Sequence, residues 1–196
     1  MFILDIESTS VESTTVILSV AILYFDEKKA GHTWESLMND AFFVKISAKD
    51  QIENYKRTVS KSTLEWWAKQ CKEARDISYT PKKSDLLAKD AIAALRGYVK
   101  LYTKNPKNEY CWTRGNLDQL ALDSFFYSTG EENALFPFWC YRDVRTFIDF
   151  NTESGARGYA TIDPERYPGT WDKSVVVKHS PQDDICFDVL QILYGK

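Results

Sequence analysis

The chain begins with an apolar strand-like run, Phe2-Ile3-Leu4, that passes straight into Asp5-Ile6-Glu7. In an extended strand residues i and i+2 share a face, so Asp5 and Glu7 project side by side. Two like charges this close repel, and a fold that keeps them together needs something to offset the repulsion. A divalent cation is the usual solution, because hard oxygen ligands suit Mg²⁺ or Mn²⁺. Taken alone, the pair is equally what a strand end with two solvated acids would look like.

Three runs rich in β-branched and aromatic residues come first: Phe2 to Glu7, Val16 to Phe25, and Ala41 to Ile46. Their polar boundaries and short connections predict an antiparallel meander whose first strand carries the acids. A helix is predicted from Ser62, where Ser62 and Glu65 form a capping-box pattern, through Leu64, Trp66 and Trp67 towards Arg75. A second starts near Ser84 and carries Leu87, Ala91, Leu95 and Tyr98 on one apolar face. A short strand from Glu109 to Thr113 leads through the turn Arg114-Gly115-Asn116 into a helix from Leu117 to Tyr127. Another strand-to-helix step spans Phe138 to Phe150, and Pro137 with Phe136, Phe138 and Trp139 reads as core. The stretch from Asn151 to Lys173 holds three glycines and two prolines and reads as a surface loop. The last helix begins just after His179, with Pro181 in its first turn, and runs through Leu190 and Leu193. This order predicts an α/β fold, a single domain over residues 1–196 built on one mixed sheet with helices packed against it.

Several function classes are excluded by composition. No window is apolar for long enough to span a bilayer, and the N-terminus lacks the pattern of a secretory signal. Cys71, Cys111, Cys140 and Cys186 are spread without a C-x-x-C pair, which argues against structural zinc and against a disulfide scaffold. A reducing cytoplasm is the expected compartment. A net charge of −3 looks wrong for a phosphate binder, yet two divalent cations would bring it to +1. Basic residues also cluster locally, at Lys56-Arg57, Arg142 to Arg145 and Lys173 to Lys178.

Further acids stand where they could join the first pair. Asp118 opens a helix after a strand and a glycine turn, while His179 and Asp184 lie five apart, astride the start of the last helix. That set suits two-metal phosphodiester hydrolysis, in which cations roughly 3.5–4 Å apart clamp the attacking and leaving oxygens. A histidine of near-neutral pKa can then take the proton from the attacking water.

Asp5-x-Glu7, Asp118 and His179 with Asp184 resemble the motifs of the DEDDh exonucleases of the ribonuclease H-like superfamily. Ser62-Thr63-Leu64-Glu65-Trp66-Trp67, Glu73-Ala74-Arg75 and Phe138 to Thr146 are similar to segments of exonuclease A of the T-even bacteriophages. They also resemble the exoribonuclease-like domain found in mycobacteria, and the similarity covers almost the whole chain in order. The resemblance implies a ribonuclease H-like sheet, a meander followed by parallel strands, and a 3′-5′ exonuclease using two cations, Mg²⁺ or Mn²⁺. Asp5 would bridge both metals, Glu7 and Asp184 would complete the nucleophile-side site, Asp118 would hold the second, and His179 would be the general base. The turn before Asp118 is one residue shorter than in the phage relative, which keeps Asp123 open as an alternative ligand. Asp183 adjoins Asp184, and the spacing from His179 favours Asp184.

The expected partner is the 3′ end of a single strand, DNA favoured over RNA, with no membrane and with monomer and homodimer both open. In a phage-encoded protein the compartment would be the host cytoplasm. Ser8, Thr63, Trp67 and Arg114 are the candidate nucleic-acid contacts. Trp66 and Trp67 cannot both face the core, so one packs and the other is available to stack on a base. Arg142 and Arg145 are candidates for phosphate or for pairing with Asp143 or other nearby acids, and His32 reads as a surface residue. A catalytically silent phage interaction protein on the same fold is the alternative from another class; it would be expected to lack a carboxylate, and none is missing. A polymerase proofreading module is a further alternative, acting in trans because the chain has no polymerase part.

Overall fold

The computed structural model describes residues 1–29, 31–153 and 157–196. β1 (Phe2–Ser8) alternates strictly: Phe2, Leu4 and Ile6 enter one buried cluster, and Ile3 enters another on the opposite face. Asp5 and Glu7 continue the Ile3 face by the period of two. β2 (Ile17–Tyr24) is buried almost throughout and pairs antiparallel with β1, and β3 (Phe42–Lys45) pairs antiparallel with β2. The meander is therefore as expected, but its last connection carries a helix, α1 (Trp34–Asp40), capped by Thr33 and Ser36.

β4 (Cys111–Thr113) and β5 (Tyr141–Asp143) join parallel, giving a five-stranded mixed sheet of order β3-β2-β1-β4-β5. Among the described residues eight helices flank it. α5 (Ala88–Tyr102) and α6 (Leu117–Ser128) cover the Phe2–Leu4–Ile6 face. α7 (Val144–Asn151) and α8 (Pro181–Tyr194) cover the other. All four cysteines are free, and among the described residues no helix is long and apolar enough to cross a membrane.

The segment after β3 departs from expectation. α2 (Ala48–Tyr55) is an additional helix, capped by Ser47, whose buried Gln51 bonds both the N–H and the carbonyl of Ile17. α3 (Lys61–Trp67) starts before Ser62, and the expected capping box does not form. Bonds from Thr58 to Thr14 and from Ser60 to Thr9 fix the incoming chain, while Glu65 pairs with Lys61. This helix stops at Trp67; a short α4 (Lys72–Ala74) and a π-turn over Arg75–Tyr79 follow.

Other local expectations are also corrected. Leu87 precedes α5 and is exposed, so the apolar face consists of Ala91, Leu95 and Tyr98 with Ile92 and Val99. Phe138 and Trp139 are 74% and 52% exposed, because the 3-10 turn Phe138–Cys140 directs only Cys140 inward; Phe136 is core as expected. The loop read over 151–173 lies partly outside the described residues, at 154–156. Its described part runs over the surface but is anchored there: Ala160, Ile162 and Tyr167 are buried against α8, and Ile162 bridges Gly195.

Candidate active site

β1 and β4 run parallel, β4 ends at Thr113 while β1 continues to Ser8, and the carboxyl end of a parallel sheet is where α/β folds open a crevice. A cleft of about 1080 Å³ lies there, and Asp5, Glu7, Asp118, His179 and Asp184 all line it. Three features of local structure converge. Asp5 and Glu7 face up from β1 opposite the small residues Ala21 and Ser19 of β2. Asp118 sits in the first turn of α6, reached through Gly115, whose φ of +89° lets the chain turn sharply out of β4. Asp184 occupies the first turn of α8, and the nearest positions ahead of it are held by Asp183. That carboxylate accepts from the Val177 N–H and the Ser180 hydroxyl.

The four acids are crowded, and the nearby cationic side chains are not ion-paired with them. Among the described residues no lysine or arginine is ion-paired with Asp5, Glu7, Asp118 or Asp184. Burial pushes the Asp5 carboxyl well up, and Asp118, Asp184, Glu7 and Asp188 all add to the rise. Glu7 is raised by burial and then by Asp184 and Asp118. Asp118 is pushed to about 7 by burial, partly offset by the Arg114 N–H. Asp184 rises to about 7 by burial and then by Asp188. Acids assembled in this way, offering hard oxygen donors with no lysine or arginine ion-paired to them among the described residues, fit divalent cations.

His179 stands at the rim with φ +64°, a left-handed backbone that a non-glycine residue holds only when its surroundings fix it. Its Nδ1 lies 3.9 Å from Glu7 Oε1, and ligand atoms of Glu7, His179 and Asp184 lie within 4.8 Å of one another. The ring packs edge-on to Trp66 with centroids 4.7 Å apart. Burial, and then Lys178, lowers its pKa, so near pH 7 the ring is neutral and able to accept a proton.

The remaining site expectations divide. Asp123 does not line the cleft; its Oδ1 is buried elsewhere, and burial raises the carboxyl to about 6, so Asp118 is the acid that geometry brings to the others. Trp67, expected to stack on a base, is instead fully buried, donates its indole N–H to Ser8 O and stacks on Tyr79. Trp66 is the exposed member of the pair. Ser8 donates its hydroxyl to Ser10 O, and neither Ser8 nor Thr63 lines the cleft. Arg114 lines it but is committed to Asp188 and Gly158 O, which corrects its assignment as a phosphate contact. Arg142 bonds the carbonyls of Trp139 and Tyr141 and stacks on Tyr110 rather than pairing with an acid. His32 lies away from the cleft, with its ring bonded to Asp26 O. Arg145, Lys173 and Lys178 supply the cleft's exposed positive charge. Asp188 was missed, although its i+4 spacing from Asp184 places both on one helix face.

The electrostatics make a stability prediction. Asp118 and Asp184 titrate at about 7 in the folded chain, against about 4 for unfolded aspartate. The native state thus binds more protons between these values, and its stability is lost as pH rises through that window. In EDTA the melting temperature is expected to fall from pH 5 to pH 8 by roughly 4–8 °C, on the order of 2 kcal/mol. Millimolar Mn²⁺ at pH 8 is expected to recover it. Calorimetric scans with and without Mn²⁺ check this; a flat profile in EDTA contradicts the crowding.

Residues 1–174 match the family described as the 3′-5′ exoribonuclease Rv2179c-like domain. The exodeoxyribonuclease of Enterobacteria phage T4 is 28% identical over 162 residues, covering 76% of this chain and 70% of the relative. The chain belongs to the Rv2179c-like family and is an enzyme of the 3′-5′ exonuclease type.

Proposed function

We propose that the chain, a single DEDDh exonuclease domain, removes nucleoside 5′-monophosphates from the 3′ end of single-stranded DNA using two divalent cations. The observation that carries this reading is the convergence of four crowded carboxylates, none ion-paired with a lysine or arginine among the described residues, and one neutral histidine in a single cleft. Asp5, Glu7, Asp118 and Asp184 would hold the cations, with Asp5 central among them because each of the other three raises its carboxyl. Bound there, the cations would supply charge neutralisation for the phosphodiester and acidify an attacking water.

The chain's own groups do the rest. His179 accepts the proton from the water; Arg145, Lys173 and Lys178 attract the phosphate backbone. The exposed Trp66, beside His179, offers a face on which a terminal base can stack.

DNA is favoured by the phage exodeoxyribonuclease, whereas the family's description favours RNA as the second reading. Matched single-stranded DNA and RNA oligonucleotides, 5′-labelled and incubated with Mg²⁺ or Mn²⁺, separate them. Stepwise shortening from the 3′ end, faster on DNA, is expected. Faster shortening of RNA replaces the first reading by the second, and intact strands in both series defeat both.

A further inference from the structure

Asp188 brings a fifth carboxylate to the cleft, and it is the one already neutralised. Arg114 Nε donates to Asp188 Oδ2 at 3.0 Å, and a second guanidinium nitrogen donates to Oδ1, a bidentate pair. The third nitrogen donates to Gly158 O at 2.6 Å, and the guanidinium lies 4.2 Å from the Tyr159 ring centre. Gln191 Nε2 donates to Asp188 Oδ1 at 3.0 Å while its Oε1 accepts from Ala160 N–H at 2.9 Å.

We propose that Arg114 and Asp188 form a positioning pair, which sets the spacing between Asp118 and Asp184 and withholds Asp188 from the cation ligands. The inference rests on the cation-dependent reading above. Its logic is geometric. Arg114 is four residues before Asp118, at the end of β4; Asp188 is one helical turn after Asp184 on α8. One bidentate contact therefore joins the two elements that carry ligands from opposite sides of the cleft. The same turn is held from its other side, where the Gly115 N–H donates 2.9 Å to Asp143 Oδ1, and Asp143 caps α7. Charge gives the second reason. Four carboxylates balance two divalent cations, and the fifth is balanced by Arg114. The planar fork matters as well as the charge, because a lysine would neutralise Asp188 without fixing its orientation.

The test compares Arg114→Lys, Arg114→Leu and Asp188→Asn with the wild type. The readouts are kcat and KM on a single-stranded oligonucleotide, Mn²⁺ binding by calorimetry, and melting temperature in EDTA. Wild-type digestion and Mn²⁺ binding in the same assays establish the underlying reading separately. Arg114→Leu removes a cation and frees an acid, so simple electrostatics predicts Mn²⁺ binding as tight as in the wild type or tighter. Positioning predicts that kcat nevertheless falls about 10–100-fold with KM little changed, and that Arg114→Lys lowers it too while melting near the wild-type temperature. The pair is overturned as a positioning device if kcat stays within about twofold of wild type in all three variants. It is also overturned if kcat losses merely follow losses of Mn²⁺ affinity or of melting temperature.

Discussion

Asp5→Asn is expected to make the protein more stable in EDTA and inactive in Mn²⁺. The substitution keeps the shape of the side chain, so no cavity is created. It removes a carboxylate that burial and four acidic neighbours disfavour. Relief of that repulsion should raise stability at pH 8 by on the order of 1–3 kcal/mol, or roughly 2–10 °C for a chain of this size. The same change removes the carboxylate proposed to serve both cations, and turnover should fall by on the order of 10³-fold or more. Melting curves and initial rates, each with EDTA and with Mn²⁺, read both effects. The diagnostic result is a crossover, with the variant ahead in EDTA and no longer stabilised by Mn²⁺. A variant that melts lower than wild type in EDTA would show that Asp5 is a structural acid.

His179→Ala should separate proton transfer from cation binding. The ring is a neutral acceptor at the rim, oriented by its left-handed backbone and by Trp66, whereas the carboxylates lie deeper. Loss of a general base is typically worth ~10²–10⁴-fold in rate, so kcat should fall in that range. Stabilisation by Mn²⁺ should survive, because the four carboxylates proposed as ligands remain. In saturating Mg²⁺ the wild-type rate should rise through a pKa below the usual histidine value, and the variant should lack that limb. A variant that keeps its rate but loses cation stabilisation would make His179 a ligand instead of a base.

What the sequence made legible follows from how local each signal is. The alternation of Phe2 to Glu7 is set by the strand period and the His179–Asp184 spacing stood out by its resemblance to the exonuclease motif, so both were readable and both reach the cleft. The meander was readable because β1 opens on an apolar run, β2 is apolar almost throughout, and polar turn residues bound both. Features decided by distant contacts were not. The Ser62–Glu65 pattern predicts a helix start that bonds from Ser60 to Thr9 and from Thr58 to Thr14 override. α2 fully buries only the polar Gln51, and its hold on Ile17 is a tertiary bond that no local pattern announces. The choice of Trp67 over Trp66 for stacking failed for the same reason: adjacent helix positions differ only in which one meets the sheet. Arg114 read as a phosphate contact because its partner, Asp188, is 74 residues away.

The central claim is that Asp5, Glu7, Asp118 and Asp184 together hold two divalent cations. A crystal soaked in Mn²⁺, measured on both sides of the manganese absorption edge, tests it most directly. The account predicts two anomalous peaks per chain, both in contact with these carboxylates and both missing from Asp5→Asn. Peaks confined to other parts of the surface, or a cleft without anomalous signal at saturating Mn²⁺, would contradict it.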